Sequence, residues 1–161
     1  MIYVGIGGNV GGDDEIVGRF RSARERLDAR RSSSLYRSAP LGMTAQAPFL
    51  NAVLELDSGG RAPRDLLAEL QAIEDELGRV RVGAGWGPRT IDLDLLMVDR
   101  LKAQEPGLTL PHPRIQQRAF VLRPLAELVG DDFVIPGTGQ TVAQCLAHVA
   151  DQTIDLVLAD W

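Results

Sequence analysis

The stretch Gly85–Leu96, "GWGPRTIDLDLL", sets two aspartates inside an apolar run with the length and composition of a buried β-strand. Side chains alternate between the faces of a strand, so Ile91, Leu93, Leu95 and Met97 are expected on one face and Asp92, Asp94, Leu96 and Val98 on the other. The two carboxylates then share a face. Neighbouring like charges on a half-buried surface are costly, and this pair calls for a cation. The segment before them, Gly78 to Ile91, holds three arginines, four glycines and no acid, so a basic, conformationally free loop leads into the acidic strand. Arginines suit non-bridging phosphate oxygens and paired carboxylates suit magnesium, so together they are equipped to handle a polyphosphate.

On the N-terminal side of this strand the pattern alternates between periods. "IYVGIG" reads as a strand closed by Gly7, Gly8 and Asn9. A helix follows, capped by Asp13 or Asp14, with Ile16, Phe20, Ala23 and Leu27 as its apolar stripe. "SSLYRS" is a second strand and "FLNAVLELD" a third, with Leu50, Ala52, Leu54 and Leu56 on one face and Phe49, Asn51, Val53 and Glu55 on the other. A second helix starts near Ala62 with Pro63 at its first position, buries Leu66, Leu70, Ile73 and Leu77, and stops at Gly78. Strand, helix, strand, strand, helix, strand is the split βαβ, or ferredoxin-like, order of an α+β fold: a mainly antiparallel sheet with both helices on one face. The other face is left open for a ligand. The C-terminal part is an α/β extension, with a short helix begun by Pro124, a strand at "FVIP" and a helix near Thr141 to Val149.

With 161 residues, 45% of them hydrophobic, the chain is expected to form one domain spanning residues 1–161. A net charge of -5 gives no general attraction to nucleic acid or an anionic membrane, and no apolar window approaches a membrane span. Cys145 is the only cysteine, which excludes an intramolecular disulfide framework and fits a cytoplasmic setting. A monomer is the default expectation.

Taken singly, these features have plain structural readings: a D-x-D as surface decoration, His112 as a turn residue between prolines, His148 as structural, Phe49 and Phe120 as core aromatics. The adjacency of the basic loop and the carboxylate strand favours chemistry. "RVRVGAGWGPRTIDLDLL", together with "GIGGNVG", "SSLYRSAPLG", "FLNAVLEL" and "LTLPHPRIQQRAFVLRPLAEL", resembles the 6-hydroxymethyl-7,8-dihydropterin pyrophosphokinase family of folate biosynthesis over nearly the whole chain. The resemblance implies an enzyme that moves diphosphate from ATP to a pterin alcohol. Asp92 and Asp94 would hold two magnesium ions. Phe49 and Phe120 would flank the pterin, with Asn51 on its polar edge and Ser38, Ala39 and Leu41 completing the pocket. Glu74, Arg81, Trp86, His112 and Arg118 match nucleotide-contacting positions, and Arg79 and Arg89 match loop arginines that close over the reacting groups. The chain departs from the family pattern at Val82 and Gly85, where a basic residue is common, at Pro113, and at Gly8, where serine is common. A D-x-D phosphohydrolase would use Asp92 as nucleophile at the start of a larger doubly wound domain, a context this chain lacks. A ferredoxin-like module that binds nucleotide without chemistry is the other alternative.

Overall fold

In the computed structural model, which describes residues 1–42, 45–78 and 88–161, the chain begins with β1 (Ile2–Gly8), α1 (Asp13–Arg26), β2 (Arg31–Ser32), β3 (Leu35–Ser38), β4 (Phe49–Leu56), α2 (Pro63–Glu76) and β5 (Asp92–Val98). The sheet order β5-β1-β4-β3, antiparallel at every pairing, is that of the split βαβ fold. A small hairpin, β6 (Ala103–Glu105) and β7 (Leu108–Leu110), follows β5. Helices α3 (Ala119–Val129) and α4 (Val142–His148) come next, and β8 (Ile154–Leu158) adds a further strand beside β3. The fold class is therefore as read from the sequence, with two corrections in the C-terminal part.

Helix α3 begins at Ala119, not at Pro124, which lies in its interior and is buried. The helix starts where Arg118 turns extended and offers its carbonyl to the Val121 and Leu122 N–H groups, both at 3.0 Å. "FVIP" forms only an isolated bridge from Val134 to Thr141. Pro136 has no N–H to continue a ladder, and the segment folds back on itself instead, with the Ile135 N–H donating to the Gln140 carbonyl at 3.0 Å. The α1 cap also shifts by one residue: Gly12 occupies it, and Glu15 reaches back to the Gly12 N–H while Asp13 and Asp14 complement the helix dipole in the first turn.

Alternation along β1 and β4 divides the core as expected. Ile2, Val4, Ile6, Leu50, Ala52, Leu54 and Leu56 pack with α1 and α2 on one face. Tyr3 and Val53 pack with α3 and α4 on the other, so this face is open only beyond the N-terminal end of α3. In β5 the alternation breaks. Tyr3 pairs with Met97 but Val4 with Leu95, leaving Leu96 as an extra, bulged residue. Met97 consequently joins Leu96 on the α3 side, and Val98 returns to the face of Leu93 and Leu95, the reverse of the simple alternation. The bulge occurs after the aspartates, so Asp92 and Asp94 keep their common face.

Trp161 lies on the α1 face, remote from that surface. Its ring meets Phe20 edge-on at 5.8 Å, its indole N–H donates to the Ser33 carbonyl at 2.8 Å, and Arg24 lies over it. Trp161→Phe removes the indole donor and strands a buried acceptor, so we expect a loss of roughly 1–3 kcal/mol in denaturant unfolding with ligand binding unchanged. An unaltered midpoint would contradict the packing of this residue.

Candidate active site

Strand register builds the site. Asp92 lies opposite Gly7, and Gly7 opposite Asn51 on the next strand; one step on, Asp94 lies opposite Gly5. The two glycines leave a gap in the sheet's side-chain layer between the carboxylates and Asn51. That gap is the floor of a cavity of about 120 Å³, several times the share of a single water. A Cβ at Gly7 would stand 3.3 Å from Asn51 Oδ1, inside this space.

At one end of the cavity are two ion pairs. Arg89 Nη1 lies 2.9 Å from Asp92 Oδ1, and Arg118 Nη1 lies 3.5 Å from Asp94 Oδ2. Burial, and then the neighbouring Asp92 charge, push the Asp94 carboxyl up to about 6 despite Arg118. The second of these causes is the like-charge repulsion expected from the sequence. Arg118 sits at the N-cap of α3 with its guanidinium 5.5 Å above the Phe120 ring, which ties the charged end of the cavity to its aromatic end. At that other end are Phe49, Phe120, Leu41 and Ala39, with Asn51 and Ser38 as the polar groups. Asn51 is buried and its Nδ2 donates to Ser38 Oγ at 2.8 Å.

Ten of the residues singled out in the sequence thus face one cavity: Ser38, Ala39, Leu41, Phe49 and Asn51, then Arg89, Asp92, Asp94, Arg118 and Phe120. Two do not line it. Glu74, 1% exposed, is turned inward from α2, where Oε1 accepts the Leu93 N–H of edge strand β5 at 2.6 Å. It supports the carboxylate strand from behind. His112 donates its backbone N–H to the carbonyl of the bulged Leu96 at 2.8 Å, so the bulge is what brings this loop to the site. Arg79, Arg81 and Trp86, with the departures Val82 and Gly85, lie outside the described residues. Gly5, Gly7, Ile6, Ala52 and Val121 also line the cavity and were not singled out. The glycines could have been found by pairing the strands in register, since a glycine opposite each aspartate leaves room for a ligand.

His112 Nδ1 accepts the Arg114 N–H at 3.1 Å, so the neutral ring carries its proton on Nε2. Burial, then Arg118 and Arg114, lower its pKa from 6.5 to about 4. The unfolded chain therefore binds a proton here between those values that the folded one refuses, and this contribution to stability is lost as pH falls from 6.5 towards 4. Asp94 acts oppositely: its folded pKa is raised from 3.8, so its contribution is lost as pH rises from 3.8 to about 6. We expect His112→Gln, measured by thermal unfolding, to look more stable relative to the wild type at pH 5 than at pH 7.5. Equal differences at the two pH values would place His112 in an ordinary solvated setting.

Comparison with known proteins identifies the family of the chain. The 7,8-dihydro-6-hydroxymethylpterin-pyrophosphokinase (HPPK) family profile matches residues 3–130. The chain is 47% identical over 133 residues to the 2-amino-4-hydroxy-6-hydroxymethyldihydropteridine pyrophosphokinase of Pseudomonas aeruginosa, covering 81% of each chain. It is 39% identical over 152 residues to the enzyme of that name from Synechocystis, covering 91% of this chain and 74% of the relative. The Bacillus subtilis enzyme of that name is 40% identical over 132 residues, covering 80% and 77%. A match that begins in β1, runs through the aspartate strand and ends just past α3 takes in every element that builds the cavity, and the chain belongs to the HPPK family.

Proposed function

We infer that this chain transfers diphosphate from ATP to the hydroxymethyl group of 6-hydroxymethyl-7,8-dihydropterin, with AMP as the second product, in folate biosynthesis. The pterin hydroxyl oxygen forms a bond to the β-phosphorus, the bond from that phosphorus to the α,β-bridging oxygen breaks, and AMP leaves with that oxygen while the hydroxyl proton passes to solvent. The observation that carries this reading is one continuous cavity with two carboxylates and two arginines at one end, and two phenylalanines and a buried carboxamide at the other.

The donor set at the charged end fits magnesium. Asp92 and Asp94 supply hard oxygen ligands from one face, and no group of three or more metal-ligating side chains occurs among the described residues. Two carboxylates leave most of an octahedral shell for phosphate oxygens and water, which is how this ion is held on nucleotides. In our reading Asp92 and Asp94 hold two magnesium ions, which when bound neutralise charge on the transferring phosphates. Arg89 and Arg118 then exchange their aspartate partners for phosphate oxygens. Phe49 and Phe120 hold the flat face of the pterin in a site of low polarity, and Asn51 fixes its orientation by hydrogen bonding. Neutral His112 offers its Nε2 proton to an anionic ligand, Arg81 and Trp86 contact the nucleotide, and Arg79 acts with Arg89 on the reacting groups. Glu74 acts by fixing β5. The protein's share of catalysis is positioning and charge stabilisation.

Among the described residues no helix is long and apolar enough to cross a membrane. We propose a single-domain cytoplasmic monomer, the setting that suits one cysteine and an acidic balance. The activity is tested by incubation with ATP, magnesium and the reduced pterin. One AMP per pterin consumed is the expected result. ADP or inorganic phosphate as product would overturn the reading.

A further inference from the structure

Asn9, at the end of β1, is 5% exposed and does not line the cavity, yet it binds both loops that flank it. On one side its backbone N–H donates to the Arg89 carbonyl at 2.9 Å and its Oδ1 accepts the Arg89 N–H at 2.7 Å. On the other, Nδ2 donates to the Ala47 carbonyl at 2.9 Å and to Gln46 Oε1 at 3.0 Å. Both amide hydrogens are engaged. The orientation is dictated by the partners, because a flipped amide would set oxygen against the Ala47 carbonyl and N–H against the Arg89 N–H.

Two further contacts hold the same segment. Arg19 Nη1 donates to the Val10 carbonyl at 2.7 Å and to the Thr90 carbonyl at 3.1 Å. A Cβ at Gly8 would come within 2.8 Å of the Thr90 oxygen, so residue 90 lies closer to β1 than the serine common in the family would allow without a shift. The backbone from which the Arg89 side chain reaches Asp92 is thus anchored to the sheet. Ala47 stands two residues before Phe49, the first residue of β4.

From this geometry we propose that Asn9 is a positioning residue for the diphosphate transfer, holding the Arg89 backbone and residues 46–47 in one register so that the nucleotide end and the pterin end of the cavity are ordered together. The proposal rests on the function inferred above. Its physical consequence is coupling: once one ligand has ordered its side of the Asn9 bridge, the second meets a site already in place and binds more tightly than it does alone. A cap that merely ended β1 would contribute stability without linking the two affinities.

The test is calorimetric binding of magnesium with the α,β-methylene analogue of ATP, and of 6-hydroxymethylpterin, each alone and in the presence of the other. Asn9→Ala removes the side-chain bonds on both sides of the bridge and keeps only the backbone bond to the Arg89 carbonyl. It is expected to reduce the mutual enhancement roughly tenfold and to lower kcat more than it raises KM. Asn9→Asp keeps an acceptor for the Arg89 N–H but has no donor for the Ala47 carbonyl. Pterin affinity is then expected to fall roughly tenfold, with the nucleotide analogue nearly unaffected. Trp161→Phe supplies the comparison, since its effect is on stability alone. If the Asn9 variants lower the thermal midpoint as Trp161→Phe does but keep wild-type affinities, enhancement and kcat, the proposal is wrong. Should Asn9→Ala not fold, the selective loss in Asn9→Asp decides by itself. Failure of the functional reading would be visible separately, as a wild-type protein that forms no AMP.

Discussion

Asp92→Ala and Asp94→Ala each lose AMP formation by about 10³-fold, the upper end of what removal of one preorganised electrostatic partner costs, while the cooperative unfolding transition persists. Both side chains are half-buried on the cavity face, and neither belongs to the apolar clusters that hold the sheet to its helices. From the sequence alone, two unpaired carboxylates would repel, and their removal would raise stability. The structure alters that expectation. Arg89 and Arg118 already compensate the pair, so each substitution relieves repulsion and also removes an ion pair. The opposing effects leave stability within about 1 kcal/mol of wild type, the scale of partly exposed ion pairs. Single-turnover AMP release and thermal melts decide the matter. Near-normal turnover in both variants would refute the assignment of these carboxylates to the metal and phosphates.

Asn51→Ala weakens pterin binding roughly 10- to 100-fold and leaves the nucleotide analogue within about twofold, because a buried polar group that loses its partner costs about 1–3 kcal/mol. Asn51 is 5% exposed, its Nδ2 is engaged with Ser38, and its Oδ1 is turned toward the gap over Gly7, where a ligand edge would meet it. Asp92 and Asp94, at the charged end of the cavity, are two strands away, on β5. Calorimetry with each ligand separates the alternatives. Equal losses for both ligands would make Asn51 a support of the Ser38 strand and not a pterin contact.

The face these residues share was legible in the sequence because strand alternation is local. Phe49 with Asn51, and Asp92 with Asp94, follow from period two alone, and both pairs line one cavity. Two other features were not legible. Leu96 looks like any strand residue, yet as a bulge it moves Met97 and Val98 to opposite faces and frees the carbonyl that anchors His112. Pro124 resembles a helix start because proline is favoured there, but the helix is begun by the extended Arg118 six residues earlier.

Glu74 and Asn9 show where sequence reading stops. The resemblance makes Glu74 a nucleotide contact, but nothing in the local pattern shows that it is buried and satisfies an edge-strand N–H that belongs to Leu93. Asn9 reads as a turn residue, and its four hydrogen bonds run to residues 46, 47 and 89. Periodicity, caps and breakers were enough for the main elements from β1 to β5, the α+β order and the common face of the carboxylates, since each depends on neighbours a few positions away. The register that sets Gly7 between Asp92 and Asn51, the arginine partner each aspartate takes, and the bridge through Asn9 arise only when distant strands pair. Those are contacts between residues tens of positions apart, and no local pattern carries them.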